Sequence, residues 1–164
     1  MGPQEGSQRV DAQERSIFES LDEFRAAVGQ DLGTSSWHYV SQSIINGFAA
    51  ATDDDERIHL DPVVAAATPL GTTIAHGLYT LSLGPKFLQE IYSVGGYSLA
   101  LNYGFDKVRF LAPVPVASRL RMHAELTDVS ALRGGSRFAI RETFEVEGDS
   151  NPVCVAEAIV AYFD

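Results

Sequence analysis

Cysteine is nearly absent from this sequence, with Cys154 the only one among 164 residues. A single cysteine cannot form an internal disulfide, so the core must stabilise the fold, and the composition is typical of a reducing, cytoplasmic setting. Basic residues are also scarce: 12 lysines and arginines stand against 22 aspartates and glutamates, for a net charge of −10. This balance argues against nucleic acid as a partner.

Long uncharged apolar runs are missing as well. No stretch of about 18 residues is apolar and free of charge, so we expect no membrane-spanning segment. Residues 1–16 are polar and charged and lack the apolar core of a signal peptide, and we interpret them as a flexible N-terminal tail. Residues 17–164 show no internal repeat and no linker, which predicts a single domain.

Helical patterns dominate the first half of the chain. Apolar residues recur at helical spacing over 17–28, Ser41 can cap a helix that ends near Thr52, and Asp61-Pro62 can start a third helix. A long, mostly apolar helix is predicted from about Ile74 to Tyr92. Pro85 should kink this helix or remove one of its internal hydrogen bonds.

Strand patterns follow in the second half. Four extended segments are separated by turns: 98–110, 120–126, 138–146 and 153–163. Consecutive strands at hairpin spacing predict an antiparallel meander. A long helix that is apolar on nearly all sides needs a sheet curved around it, so the pattern as a whole predicts an α+β domain.

Chemically useful groups cluster between Phe48 and Gly77. Asp54 lies in an acidic turn, His59 follows five residues later, and His76-Gly77 opens the predicted long helix. A carboxylate, an imidazole and a helix N-terminus can activate a water molecule and polarise a nearby carbonyl. On spacing alone, the alternative is an acidic turn followed by a histidine with a structural role.

Metal binding is not expected from the same residues. The acidic run at 53–55 lacks the glycine and the closing acidic residue of a calcium loop. Zinc bound through His59 and His76 would need a third ligand, and none stands at motif spacing.

Five segments stand in an order and spacing that point to a known family: Leu32–Trp37, Phe48–Asp54, Ile58–Pro62, Gly71–Gly77 and Asn102–Pro115. In these segments the sequence resembles the MaoC-like dehydratases, the (R)-specific enoyl-CoA hydratase group, and most closely the single-domain branch related to nodulation protein N. The resemblance extends from about Leu32 to the C-terminus and implies the hot-dog fold.

The resemblance also implies a reaction and a set of site residues. Asp54 and His59 would activate a water that adds syn to a trans-2-enoyl thioester and gives a (3R)-hydroxyacyl thioester, or would catalyse the reverse dehydration. The backbone N–H of Gly77, with its neighbours His76 and Ala75, would bind the thioester oxygen. Asn102 is a further candidate for a hydrogen bond to substrate or to a loop.

The expected partners follow from that reaction. The substrate would be an acyl-CoA or an acyl-carrier thioester, and neither a metal nor an organic cofactor is required. A homodimer is expected because isolated hot-dog units resemble halves of a larger sheet. Two other activities remain open on the sequence: a hot-dog acyl-CoA thioesterase, and a non-catalytic module that binds acyl thioesters.

Two positions depart from the family pattern. Asp53 stands where glycine is common, and Arg57 stands where an aromatic residue is common. Asp53 places a like charge beside Asp54, which Arg57 could offset by pairing with either aspartate.

Overall fold

The computed structural model describes residues 14–164, and residues 1–13 of the predicted tail lie outside the described part. Six helices are present in the described residues: α1 (Leu21–Ala26), α2 (Gln42–Thr52), α3 (Arg57–Leu60), α4 (Pro62–Ala66), α5 (Gly77–Ser82) and α6 (Gly84–Ile91). Eight strands accompany them: β1 (Ser16–Phe18), β2 (Asp31–Thr34), β3 (His38–Tyr39), β4 (Tyr92–Val94), β5 (Leu99–Phe110), β6 (Arg119–Leu132), β7 (Gly135–Val146) and β8 (Pro152–Phe163). The α+β class predicted from the sequence is confirmed. No helix within residues 14–164 has the length and apolar composition needed to cross a membrane.

The main sheet is antiparallel and has the strand order β2-β6-β7-β8-β5, with β3 also paired to β6. Strands β6, β7 and β8 form the predicted meander. The meander also predicted that β5 pairs with β6, and this is wrong because β5 lies at the other side of the sheet beside β8. The chain leaves the sheet after β5: the N–H of Ala75 donates to Val114 O, and the N–H of Val116 donates to Thr73 O. Residues 113–118 therefore bond to other parts of the chain instead of forming a hairpin, and β5 pairs with β8.

The described part of the chain has a strand at Ser16–Phe18, where the sequence predicted the start of a helix. Ser16–Phe18 runs parallel to Tyr92–Val94 in a separate two-stranded sheet, so the strand includes one residue assigned to the tail. The first helix begins only at Leu21, because Ser20 caps it: the N–H of Glu23 donates to Ser20 Oγ at 3.2 Å. The predicted helix is therefore present from Leu21, but the residues predicted as its first turn pair as a strand instead.

The predicted continuous helix from Ile74 to Tyr92 is wrong at its start and in its middle. Ile74 forms a bridge with Pro115, so this stretch is extended and helix α5 begins at Gly77. The expected effect of Pro85 is confirmed, because it lies in the first turn of a separate helix, α6. The result is two short helices that meet at Leu83 and Gly84.

Other predicted helix starts are confirmed. Ser41 caps α2, and Asp61 caps α4 with Pro62 in its first turn. The core lies between the helices and the inner face of the sheet. Its largest fully buried aromatic side chains are Phe24, Phe87, Phe138 and Phe144.

Candidate active site

Asp54 is positioned by the unusual end of α2. The helix stops at Thr52, and Asp53 adopts the left-handed conformation at φ 56° and ψ 26°. This conformation favours glycine, and aspartate is one of the few other residues that tolerate it, which gives a physical reason for glycine at this position in related sequences. The turn ends the helix, and Asp54 follows with an exposed side chain.

His59 lies in α3 and is held by the chain segment before α5. Its Nδ1 lies 2.8 Å from the carbonyl oxygen of Ile74, and the N–H of Ile74 donates in return to Ile58 O at 3.3 Å. A carbonyl can only accept, so Nδ1 carries the proton in this bond and Nε2 of the neutral ring keeps its lone pair. His59 is buried, with 8% of its surface exposed. The ring is therefore oriented to act as a base through Nε2.

His76 joins Asp54 to His59. Its ring stacks on the His59 ring with centroids 3.8 Å apart and an interplanar angle of 27°. Its Nε2 donates to the backbone oxygen of Asp54 at 3.0 Å. The ring is 2% exposed, and its Nδ1 is buried without a hydrogen-bond partner in the described residues. The sequence suggested His76 as a possible substrate contact, and the structure shows its ring against His59 and its Nε2 bonded to the Asp54 backbone.

These three residues form a compact group. One polar side-chain atom from each of Asp54, His59 and His76 lies within 4.8 Å of the others. Two hydrogen bonds of about 2.8 Å that meet at the tetrahedral angle of a water span about 4.6 Å. A separation within this limit leaves room for a water held between the Asp54 carboxylate and the His59 ring.

The same group has the residue types of a metal site, because Asp54 supplies the third ligand that the sequence spacing did not show. The ring geometry does not fit this use. Lone pairs of imidazole nitrogens lie in the ring plane, and the His59 and His76 rings lie in nearly parallel planes with centroids 3.8 Å apart. Ligands of one metal must converge on a common point, so His59 and His76 are poorly arranged to bind a metal together.

A cavity of about 370 Å³ opens beside His59, and we call it the first cavity. Its walls include Ala75, Gly77, Thr80, Phe110, Val114 and Cys154. Gly77 lies close to the Phe110 ring: a Cβ at this position would be 3.1 Å from it, so a larger residue would have to displace the ring. Gly77 is also the first residue of α5, and the side chain of the cap residue His76 bonds none of the first-turn N–H groups.

The remaining predicted site residues separate into two locations. Ala75 lines the first cavity, but its N–H donates to Val114 O at 2.8 Å and is already used. Asn102 lies in β5 opposite Val160 and does not line the first cavity. The structure therefore brings together Asp54, His59, His76, Ala75 and Gly77, and it places Asn102 elsewhere.

Arg57 does not compensate the charge of the acidic turn. Its guanidinium donates to Asp61 Oδ2 at 2.8 Å, so the expected pairing with Asp53 or Asp54 is wrong. The hydrogen bond from Arg57, together with the backbone N–H groups of α4, lowers the pKa of Asp61. Arg57 therefore links the two short helices α3 and α4, and no lysine or arginine within residues 14–164 forms an ion pair with Asp54.

Glu142 is a residue that the sequence patterns did not single out. It lies on β7 between Ile140 and Phe144, with its side chain in the inward register and 1% of its surface exposed. It lines a second cavity of about 350 Å³, between α5–α6 and the strands β5 and β8. The available signal was the charged residue in the apolar phase of an alternating strand.

Comparison with known proteins places this geometry in a family. The family model described as MaoC like domain matches residues 23–147. The chain belongs to the MaoC-like dehydratase family. A relative, 3-hydroxyacyl-thioester dehydratase Z of Mycobacterium tuberculosis, is 49% identical over 146 residues, which cover 88% of this chain and 97% of the relative.

Two further similarities support the family and its fold. Nodulation protein N of Rhizobium meliloti is 39% identical over 156 residues, which cover 88% of this chain and 92% of that protein. The solved structure of the (R)-hydratase from A. caviae involved in PHA biosynthesis superposes with a TM-score of 0.68 at 24% identity, covering 81% of this chain and 94% of that one. The hot-dog fold of the MaoC-like proteins is therefore confirmed for this chain.

Proposed function

We propose that this MaoC-like protein is an (R)-specific enoyl-thioester hydratase and dehydratase. The observation that carries the proposal is the convergence of Asp54 and His59 at the edge of a cavity that also contains Gly77. Membership of the dehydratase family and the 49% identical relative, named as a 3-hydroxyacyl-thioester dehydratase, support the same reaction class.

The reaction follows from the groups at the site. A water bound between the Asp54 carboxylate and Nε2 of His59 loses a proton to this pair and adds its oxygen to C3 of a trans-2-enoyl thioester. The electrons of the double bond take up a proton at C2 from the same pair, so hydroxyl and hydrogen add to one face. Atoms and electrons balance without any redox step, and in the proposed mechanism no metal or organic cofactor takes part.

Gly77 is the proposed donor to the thioester oxygen. Negative charge develops on that oxygen as water attacks C3, and a fixed N–H group at 2.7–3.1 Å would stabilise it. Helix α5 has only six residues, so we assign this role to the N–H of Gly77 itself instead of to the dipole of the whole helix. The acyl chain would begin in the first cavity, beside Ala75 and Thr80.

His76 has a positioning role in this proposal. It holds the Asp54 backbone through Nε2 and packs its ring on His59, and it does not line the first cavity. Both catalytic groups therefore depend on one buried ring for their relative placement. This assignment replaces the substrate contact that the sequence suggested for His76.

We further propose that the protein acts as a cytoplasmic homodimer on a CoA or acyl-carrier thioester. Strand β5 is 12 residues long and lies at the edge of the described sheet, paired with β8 alone. It exposes the large apolar side chains Leu99, Leu101, Tyr103 and Phe105, each with more than 40% of its surface accessible. A long, exposed, apolar edge strand is a template for pairing with another chain, and a second copy would cover it.

The cytoplasmic setting is proposed because the lone cysteine, Cys154, is buried and unpaired.

Crotonyl-CoA tests the proposed reaction directly. The rate at which the enoyl absorbance is lost should be at least about 100-fold lower in Asp54→Asn and in His59→Ala than in the wild type, because each substitution removes a group that transfers or binds the water proton. Asp55→Asn is the matched control, since it removes the same charge from an exposed neighbour in the same turn. The wild-type product should be (3R)-hydroxybutyryl-CoA with no free thiol. Unchanged turnover in both site variants, or release of free CoA, would remove the assignment.

A further inference from the structure

The second cavity is mostly apolar but contains one strongly polar group. Its walls include Leu78, Leu81, Leu88, Phe105, Ile159 and Val160. The polar residues beside them are Ser82, Asn102 and Glu142. Ser82 and Asn102 are exposed, whereas Glu142 is buried, so the carboxyl is the polar group that water reaches least. Apolar walls with a single placed polar group are typical of pockets that orient a ligand.

The Glu142 carboxyl lacks the contacts that a structural role requires. Its Oε2 is buried, and no group in residues 14–164 forms a hydrogen bond with it. Buried carboxyl groups in stable cores are normally hydrogen-bonded, because the lost hydration is otherwise not replaced. An orphaned carboxyl at a cavity wall therefore points to a ligand as its missing partner.

The helix break makes room for this carboxyl. A Cβ at Gly84 would lie 2.9 Å from Glu142 Oε2 and 3.0 Å from Oε1, so a larger residue at the start of α6 would displace the carboxyl. Gly84 has an ordinary negative φ, and no turn geometry demands glycine there. The absence of a side chain at this position therefore serves the neighbouring carboxyl.

Burial also sets the chemical form of the carboxyl. Desolvation raises the pKa of Glu142 to about 8, so at neutral pH the group is mainly the uncharged acid. An uncharged carboxyl can donate one hydrogen bond and accept others. Its complement is a neutral oxygen group such as a hydroxyl, and not a cation.

The two cavities lie on neighbouring sides of the same helix. Gly77 and Thr80 line the first cavity, while Leu81 and Ser82 line the second. With a rise of about 1.5 Å per residue, Ser82 lies about 8 Å along the axis from Gly77. An extended medium-length acyl chain whose thioester lies at Gly77 is long enough to span this distance.

We propose that Glu142 binds a hydroxyl group carried on the distal part of the acyl chain, so that the preferred substrates are hydroxylated medium-chain acyl thioesters. The proposal rests on the proposed thioester function, because it takes the chain to start at the first cavity. It adds a specificity determinant to that function: a plain alkyl chain leaves the carboxyl unbonded, whereas a hydroxylated chain satisfies it. Discrimination of this kind is strong where a buried polar group would otherwise stay unpaired.

Binding of saturated ligands tests the proposal without relying on turnover. Decanoyl-CoA and a series of its mono-hydroxylated counterparts, with the hydroxyl moved along the distal half of the chain, cannot be hydrated at C2–C3. Calorimetry on the wild-type protein should show one hydroxyl position that binds about 5- to 10-fold more tightly than decanoyl-CoA. No preference at any position, or no binding of any member, overturns the proposal.

Two variants locate the effect at the carboxyl. In Glu142→Leu the hydroxylated ligand and decanoyl-CoA should bind with about equal affinity. Glu142→Gln, whose amide still donates and accepts hydrogen bonds, should keep most of the preference for the hydroxylated ligand. Thermal unfolding tests whether both variants are folded. If Glu142→Leu is unfolded, the binding preference of Glu142→Gln alone decides the role of the side chain. An equal preference in Glu142→Leu, or its loss in a folded Glu142→Gln, overturns the role of the side chain. Failure of the hydratase assay with crotonyl-CoA is a separate result, because it leaves these binding ratios measurable.

Discussion

Glu142 should make the stability of this protein fall as the pH rises through neutrality. The pKa of its carboxyl is about 8 in the folded protein and 4.5 in the unfolded chain, and the cause is desolvation. Below the lower pKa both states hold the proton, so the group has no effect. Between the two values the unfolded chain releases the proton while the folded protein keeps it, which favours unfolding progressively.

The size of the effect follows from the pKa interval. At 1.36 kcal/mol per pH unit, the full penalty above the folded pKa is about 5 kcal/mol. Across the accessible range from about pH 5.5 to about pH 8.5, the change is about 3 kcal/mol. The nearest ionisable groups that interact with Glu142 are the Tyr92 hydroxyl and the Cys154 thiol, and burial raises the pKa of each, to about 12 for Cys154. Both therefore stay protonated in the folded protein over this range, and the difference in slope between the wild type and a variant without the carboxyl reports on Glu142.

Urea unfolding of Glu142→Gln and of the wild type, at one fixed protein concentration, measures this slope. The glutamine is isosteric and does not ionise, so its stability relative to the wild type should rise by about 3 kcal/mol between about pH 5.5 and about pH 8.5. Glu145→Gln replaces a half-buried carboxylate that pairs with Arg121 in the outward register of β7, and it should change the stability by a similar amount at each pH, which gives a curve parallel to that of the wild type. Parallel curves for Glu142→Gln and the wild type would refute the reasoning.

Three further predictions concern the site and the assembly. His76→Phe keeps a ring against His59 but loses the bond to the Asp54 backbone, so kcat should fall about 10- to 100-fold with KM within about threefold, and an equal change in both constants would contradict a positioning role. Gly77→Ala places a Cβ 3.1 Å from the Phe110 ring and should lower kcat/KM for crotonyl-CoA about 10-fold or more with a modest loss of stability, which steady-state kinetics and thermal unfolding check together. Leu101→Lys adds a charge to the exposed edge strand β5, and light scattering should show a shift from dimer to monomer, unless β5 is not the interface.

Elements set by local chemistry could be predicted from the sequence. Ser41 and Asp61 cap the helices that follow them, and Pro85 ends one helix and starts another, because each acts through its own side chain on neighbouring backbone groups. The segment before α5 could not be predicted in this way. Ile74 has helical neighbours in sequence, but its backbone is held extended by contacts with Ile58 and Pro115, which are distant in the chain.

Local features of the candidate site could be predicted from the sequence, whereas features that depend on contacts distant in the chain could not. The five-residue spacing from Asp54 to His59 is visible in the sequence, as is the glycine-type position at Asp53. The stacking of His76 on His59 depends on how α3 and the start of α5 meet, and spacing alone does not contain it. Glu142 carried a visible signal, a charge in the apolar phase of β7, whose meaning appears only when the cavity beside it is known.

The reciprocal bonds between residues 58–59 and Ile74, together with the His76 contact to Asp54, join residues 54–59 to residues 74–76, and the two side-chain bonds span 15 and 22 residues of sequence. Such a junction opens as one unit, because release of residues 74–76 removes a partner both from Asp54 and from residues 58–59. Amide exchange at Ile74 and at Thr80 should accordingly slow together when a thioester binds. The protein would then resist local unfolding most strongly while substrate is bound, and in the absence of substrate the site would be the region where proteolysis or thermal unfolding begins.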